Sequence, residues 1–128
     1  MLLAAMRCDL AAGTTPVILA AGLASPSHLD RRGRGGVRWP VTVALARAGL
    51  SDAFREEHPR AAREPGFTWS PVRPDEPQDR IDQVQYAGPL RVEGAYTLCT
   101  GRPRPVPDAA GNGWPSDHAA PVVAFSLR

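Results

Sequence analysis

The 128-residue chain has the length of one domain with a single hydrophobic core. Its 43% hydrophobic and 22% charged residues argue against wholesale disorder, and a net charge of +2 is too small to indicate a nucleic-acid partner by itself. Fourteen prolines, twelve glycines and only 6% aromatic residues predict many loops around a modest core.

The N-terminal third predicts a helix, a strand and a loop. Residues 2–12 are rich in Ala and Leu and predict a short helix that ends at Gly13. Residues 17–20 form a continuous apolar run, which is typical of a strand buried on both faces. Residues 29–37 are polar and glycine-rich and predict a loop.

Two further helices are predicted in the middle of the chain. Pro40 suits the first turn of a helix, apolar residues then recur at helical spacing, and Gly49 is a plausible C-cap. Either Ser51 or Asp52 could cap a second short helix, which Pro59 stops.

Three strands are predicted in the C-terminal half. Residues 80–86 alternate between two faces, with Asp82, Val84 and Tyr86 on one of them. Residues 91–98 are a candidate hairpin partner for that strand, and residues 122–127 form the last strand. The opposite face of the first strand carries Gln83 and Gln85, which need hydrogen-bond partners if that face is buried. The order of elements predicts a mixed α/β (α+β) fold without an internal domain boundary.

The two cysteines, Cys8 and Cys99, are too few for a disulfide framework or a zinc site, so reduced thiols and a cytoplasmic location are expected. No apolar run approaches the ~18 residues of a membrane span. The apolar start of the chain hints at a signal peptide, but Arg7 and Asp9 interrupt it early and no basic region precedes it, so no secretory signal is expected.

Two short polar motifs adjoin the predicted strands. Ser116-Asp117-His118 precedes the last strand, and Asp79-Arg80-Ile81-Asp82 opens the strand over residues 80–86. A histidine can serve phosphoester hydrolysis when a carboxylate fixes its tautomer and orientation. Taken alone, each motif is more typical of turn chemistry than of catalysis, so their order and surroundings decide the interpretation.

In this order the motifs resemble the C-terminal half of the endonuclease/exonuclease/phosphatase superfamily, the DNase I-like metal-dependent phosphoesterases. Other segments resemble the same family in the same order along the chain: residues 25–30, 50–55 with His58-Pro59, and 66–71. The resemblance covers nearly all 128 residues as one partial domain, but only about half of the usual domain.

The resemblance implies a role for each residue of the motifs. It makes His118 and Asp82 the catalytic residues, with Asp82 orienting the imidazole, and makes Asp117 a metal-site residue. Three further residues are predicted to contact the substrate: Ser116, Arg80 and Trp69. An active enzyme would use Mg²⁺ or Mn²⁺ and hydrolyse a phosphoester of a class that the sequence does not specify, such as nucleic acid, inositol phosphate or lipid.

Two departures from the family predict impaired or absent activity. Where the family carries Asp and Asn in a Gly-Asp-Phe-Asn motif, this chain has Gly22 and Ala24, which offer no polar side chain. The family's N-terminal half supplies a metal-binding Glu, an Asn and a further catalytic side chain, and these 128 residues do not contain that half. Losing such groups typically lowers rates by orders of magnitude.

The family fold is a four-layer sandwich of two β-sheets with helices outside, and this chain is expected to supply mainly one mixed β-sheet and its flanking helices. The exposed inner face would favour a homodimer or pairing with a missing N-terminal half. Three functions stay open: a metal-dependent phosphoesterase, a non-catalytic remnant, which we favour over the enzyme, and a phosphate- or nucleic-acid-binding module. The binding module would use the residual site together with an arginine-rich loop: Arg31, Arg32, Arg34 and Arg38. Because no aromatic residues interleave with these arginines for base stacking, the loop is more typical of a solvated surface.

Overall fold

The structure is a computed structural model that describes residues 2–30, 38–71, 73, 75–99 and 116–128. These residues form a mixed α/β fold with short helices and antiparallel strands. Its elements in chain order are α1 (Leu2–Ala5), α2 (Arg7–Ala12), β1 (Val17–Gly22), α3 (Pro40–Arg47), β2 (Ser51–Asp52), α4 (Ala53–Glu57), β3 (Asp82–Ala87), β4 (Leu90–Leu98) and β5 (Ala120–Leu127). None of these helices has the length and apolar character to cross a lipid bilayer.

Local capping signals place several helix ends as the sequence predicts, although residues 2–12 form two short helices rather than one. Gly13 ends α2 with a φ of 64°, and Pro40 occupies the first turn of α3. Gly49 follows α3 with a φ of 95°, a value that suits glycine. Asp52 rather than Ser51 caps α4, because its side chain accepts a hydrogen bond from the Arg55 amide.

The strands form two antiparallel sheets, so the prediction of mainly one mixed sheet was wrong. The first sheet has the order β1-β3-β2, and the second pairs β4 with β5. The candidate hairpin between β3 and β4 does not form, because residues 87–89 carry the chain from one sheet to the other. At this corner Gly88 has a φ of 83°, and a Cβ atom there would lie 2.3 Å from the carbonyl oxygen of Thr15.

The two sheets pack against each other through one face of β3. Tyr86 meets the Phe125 ring at a centroid distance of 5.1 Å. A cluster of buried residues surrounds this contact: Ala53, Val84, Tyr86 and Leu90, with Val92, Val123 and Phe125 packed against it. The face of β3 that carries Val84 and Tyr86 therefore supplies the core.

Strand β1 is not buried on both faces, contrary to the prediction. Ile18 is 54% exposed, although it stands opposite Tyr86 in the register and so shares the face that meets the second sheet. Because β1 lies at the edge of its sheet and the second sheet packs over β3, the described residues leave uncovered an apolar strip along β1 that consists of Ile18 and Ala20.

The other face of β3 is buried and polar. Gln83 and Gln85 are both buried, and each finds partners. The side-chain amide of Gln83 donates to the backbone oxygens of Ser25 and Arg80 at 3.0 and 3.3 Å. Gln85 donates to the Gln83 amide oxygen at 2.9 Å. Because these buried side-chain amides have hydrogen-bond partners, their burial does not destabilise the fold.

A buried group of four charged side chains, which we call the charge cluster, ties the loops to the sheet: Asp30, Asp52, Arg55 and Arg80. Arg80 grips the Asp52 carboxylate with two nitrogens at 2.6 and 3.1 Å and contacts Asp30 at 2.9 Å. Arg55 also bonds Asp30, at 2.5 Å. Burial alone would lower the pKa of Arg80, but Asp52 and then Asp30 outweigh it, so the pKa lies above its ordinary value.

Tyr86 makes the stability of the fold sensitive to alkaline pH. Burial, followed by a 2.5 Å hydrogen bond from the Tyr86 hydroxyl to Glu56, raises the pKa of Tyr86 from 10.0 to about 12. A group whose pKa is raised in the folded state contributes stability that is fully present below its pKa in the unfolded chain. This contribution is lost as the pH rises through its pKa in the folded chain. We therefore expect the melting temperature to fall between pH 10 and about 12.

Thermal unfolding at several pH values, compared with Tyr86→Phe, measures this effect. The variant lacks the titrating hydroxyl, so the stability difference between the two proteins should shrink as pH rises from 10 to about 12. A difference that stays constant over that range would contradict the expectation.

Candidate functional site

His118 and Asp82 lie within hydrogen-bond distance although 36 residues separate them in sequence. The His118 Nδ1 atom is 2.7 Å from the Asp82 Oδ2 atom, and the two side chains are 36% and 16% exposed. Because an ionised carboxylate can only accept, this bond requires a proton on Nδ1. The carboxylate thus fixes both the tautomer and the orientation of the imidazole.

Ser116 and Asp117 form the turn that presents His118. The Ser116 hydroxyl accepts the His118 amide at 3.0 Å, which is the turn-shaping contact expected for a serine at this position. The Asp117 backbone oxygen accepts a hydrogen bond from the buried Ser70 hydroxyl at 3.0 Å. Both Ser116 and Asp117 are exposed, so the motif lies on the surface beside the Asp82–His118 pair.

The residues at this turn do not by themselves fit a Mg²⁺ or Mn²⁺ site. Mg²⁺ takes six oxygen ligands in near-octahedral geometry, and a protein usually provides at least one or two carboxylates with other oxygens close by. Within the described residues, no group of three or more His, Cys, Asp or Glu side chains is arranged to hold a metal ion. Asp117 would therefore need further ligands from elsewhere.

Of the predicted substrate contacts, Trp69 is at the site and Arg80 is not. The Trp69 ring meets the His118 ring edge-on at a centroid distance of 5.0 Å. The Arg80 side chain is 2% exposed and is held by Asp30 and Asp52 in the charge cluster, so this placement argues against a substrate contact.

Most of the arginine-rich loop lies outside the described residues, which omit residues 31–37 and Trp114. Its last arginine, Arg38, is described and is exposed.

Gly22 and Ala24, where the family that the chain resembles carries Asp and Asn, lie at the end of β1 and just after it. Gly22 stands opposite Asp82 in the register, and a Cβ atom there would be 3.0 Å from the Asp82 Oδ1 atom. Ala24 has a φ of 48°, in the left-handed region that Asn and Gly adopt more readily than Ala. A side chain at position 22 would therefore touch the Asp82 carboxylate, and the backbone at position 24 has a conformation that suits asparagine.

Thr68 and Ser70, for which the sequence alone predicts no role, connect the two motifs. Both are fully buried. The Thr68 hydroxyl accepts the amides of Ile81 and Asp82, each at 3.0 Å, and its backbone oxygen accepts the Ala119 amide at 2.8 Å. The only signal in the sequence was their place in the matched segment 66–71, because nothing in their residue types predicts which amides they bind.

The other histidines are engaged away from this site. His58 bonds Glu64 through Nδ1 and the Ala95 backbone oxygen through Nε2, each at 2.7 Å. The His28 ring lies 3.0 Å from the Thr42 hydroxyl. These contacts are typical of structural histidines.

Comparison with known proteins finds one curated relative of note. An uncharacterized protein of Caenorhabditis elegans is 37% identical over a region that covers 88% of this chain and 41% of the relative. The chain thus spans about two fifths of the length of the relative that it matches. No family model and no solved structure matches the chain.

Proposed function

We propose that the chain is part of a DNase I-like, metal-dependent phosphoesterase domain that has little or no hydrolytic activity by itself. The observation that carries this proposal is the 2.7 Å hydrogen bond between His118 and Asp82. With its proton on Nδ1 held by a carboxylate, an imidazole exchanges a proton or contacts phosphate through Nε2, as general acid–base catalysis requires.

The impaired activity follows from what surrounds this pair. Gly22 lies against Asp82 without a side chain, and Ala24 offers a methyl group where a polar group would contact phosphate. A Mg²⁺ or Mn²⁺ cofactor would neutralise the phosphate and the charge that develops on it, but Asp117 needs additional ligands to bind it. The catalytic residues are thus His118 and Asp82, and the metal ligands are incomplete.

Hydrolysis of bis(p-nitrophenyl) phosphate with Mg²⁺ or Mn²⁺ tests the activity. The wild-type chain and His118→Ala are expected to give the same background rate, with His28→Ala as a control for loss of a histidine outside the site. Metal-dependent turnover that His118→Ala abolishes and His28→Ala retains would overturn the proposal of impaired activity.

Phosphate binding tests the assignment of the site. Titration of the ¹⁵N-labelled chain with inorganic phosphate and Mg²⁺ should perturb the resonances of His118 and the neighbouring turn. His58, which bonds Glu64 and Ala95 elsewhere, is an internal control. Equal perturbation of His58 and His118, or none at His118, would show that this is not a phosphate-handling site.

We also propose that the two sheets are the inner layers of an incomplete four-layer sandwich, in a cytoplasmic protein whose two cysteines stay reduced. The apolar strip on β1, with Ile18 54% exposed, would be covered by a second copy or by an N-terminal half. We therefore expect the chain to self-associate in sedimentation velocity and Ile18→Thr to weaken this association. A wild-type chain that sediments as a monomer over a wide concentration range would contradict it.

A further inference from the structure

We propose that Thr68 is the positioning residue of the Asp82–His118 pair and sets the hydrogen bond between them. The proposal deepens the proposed function, on which the chemical use of the pair rests, but the geometry stands without it. Thr68 links Asp82 to the segment that carries His118: its hydroxyl accepts the amide of Asp82 at 3.0 Å, and its backbone oxygen accepts the amide of Ala119, next to His118, at 2.8 Å.

The side chain of Thr68 fixes the start of β3. Its oxygen has two lone pairs, which the amides of Ile81 and Asp82 occupy at 3.0 Å each. Asp82 is the first residue of β3 and stands opposite Gly22 of β1, and its amide donates to Thr68 rather than to a neighbouring strand. Two amides held on one hydroxyl define the direction in which the Asp82 side chain leaves the backbone.

The backbone of the same segment fixes His118. Trp69 forms an isolated antiparallel bridge with His118 on one side and with Asp79 on the other. Ser70 adds a third link, through its hydroxyl to the Asp117 backbone oxygen at 3.0 Å. Residues 68–70 therefore lie between the two motifs and bond both, and Thr68 is the member whose side chain reaches Asp82.

Burial makes the arrangement rigid. Thr68 is 0% exposed, so no water competes for its hydroxyl or for the two amides that it accepts. Removing the hydroxyl leaves both amides without an acceptor, and the backbone at Asp82 must shift to find another. We expect the shift to lengthen the bond from His118 to Asp82 and to release the constraint on the imidazole tautomer.

The test is the tautomer of His118, read from long-range ¹H–¹⁵N spectra at a pH where the ring is neutral. The wild-type chain should show mainly the Nδ1-protonated form. Thr68→Val, which keeps the shape but removes the hydroxyl, should reduce the population of that form by at least about twofold, and Thr68→Ser should restore it.

A matched control separates positioning from general destabilisation. Thr42 is also buried, and its hydroxyl accepts the amide of His28 on another element, so Thr42→Val removes an equivalent bond away from the pair. It should leave the His118 tautomer unchanged. A tautomer that is unaffected by Thr68→Val, or that responds equally to Thr42→Val, would overturn the proposal.

Hydrogen exchange of the wild-type chain keeps the proposal testable if Thr68→Val does not fold. The amides of Ile81, Asp82 and Ala119, which all bond Thr68, should be protected and should exchange together. Exchange of the Asp82 amide at the rate of an unstructured peptide would overturn the proposal. Neither readout depends on turnover or on phosphate, so failure here is distinct from failure of the proposed function.

Discussion

Asp52→Ala is expected to lower the free energy of unfolding by about 3–5 kcal/mol, which is a large part of the ~5–15 kcal/mol that stabilises a typical domain. The Asp52 carboxylate accepts two bonds from Arg80, one from the Ser27 hydroxyl at 2.8 Å and one from the Arg55 amide at the start of α4. Its removal leaves the guanidinium of Arg80 buried with only part of its compensating charge. Urea unfolding followed by circular dichroism measures the change.

An exposed ion pair gives the matched control for that measurement. Arg73 and Glu76 lie 3.2 Å apart with both side chains largely in solvent, where such pairs contribute less than about 1 kcal/mol. Glu76→Ala should therefore change the free energy of unfolding by a few tenths of a kcal/mol. If Asp52→Ala and Glu76→Ala were equally mild, the charge cluster would not be a main source of stability.

Gly88→Ala is expected to lower the free energy of unfolding by about 2–4 kcal/mol. Two effects add at this corner between the sheets. The φ of 83° penalises any side chain, and the new Cβ atom would meet the Thr15 backbone oxygen at 2.3 Å. Because the obstacle is backbone rather than a flexible side chain, the corner itself must move, and with it the packing of β4 on β3.

Gly13→Ala isolates the first of the two effects. Gly13 also has a positive φ, of 64°, but its Cβ atom would meet nothing within 4 Å. Only the backbone penalty of about 1 kcal/mol should appear there. Chemical denaturation of both variants gives the comparison, and equal losses at the two positions would show that the contact with Thr15 relaxes freely.

Local chemistry made the helix ends and strand faces predictable from the sequence. Proline at the start of α3 and the acid at the start of α4 act on their own neighbours, so their effect does not depend on the rest of the fold. The face of β3 that carries Val84 and Tyr86 followed from alternation alone. These features are encoded within a few residues of where they appear.

Pairing between distant segments was not predictable in the same way. The hairpin between β3 and β4 was plausible by proximity in sequence, but the corner at Gly88 and the apolar surface of β5 favour pairing in a second sheet. The same holds for Arg80, whose place in the motif suggested a substrate contact. Its partners Asp30 and Asp52 are 50 and 28 residues away, and no local pattern links them.

For the Asp82–His118 pair, the proximity of the two residues was predictable from the sequence, but the bonds that hold them in place were not. Resemblance predicted Asp82 beside His118, and the structure places them 2.7 Å apart. Resemblance did not predict how the pair is held, because the bonds from Thr68 run to backbone amides, which carry no signature in the sequence. Side chains that act through backbone groups are found only when the fold is known.

The position of the Asp82–His118 pair makes it an internal reporter on how the two sheets meet. Asp82 begins β3 in the three-stranded sheet, whereas His118 stands two residues before β5 in the two-stranded sheet. A separation of the sheets would thus pull on this bond together with the contacts of residues 68–70 that hold the same turn. The Nδ1 proton of His118 is therefore a local probe of the interface, whereas circular dichroism reports on the secondary structure of the whole chain.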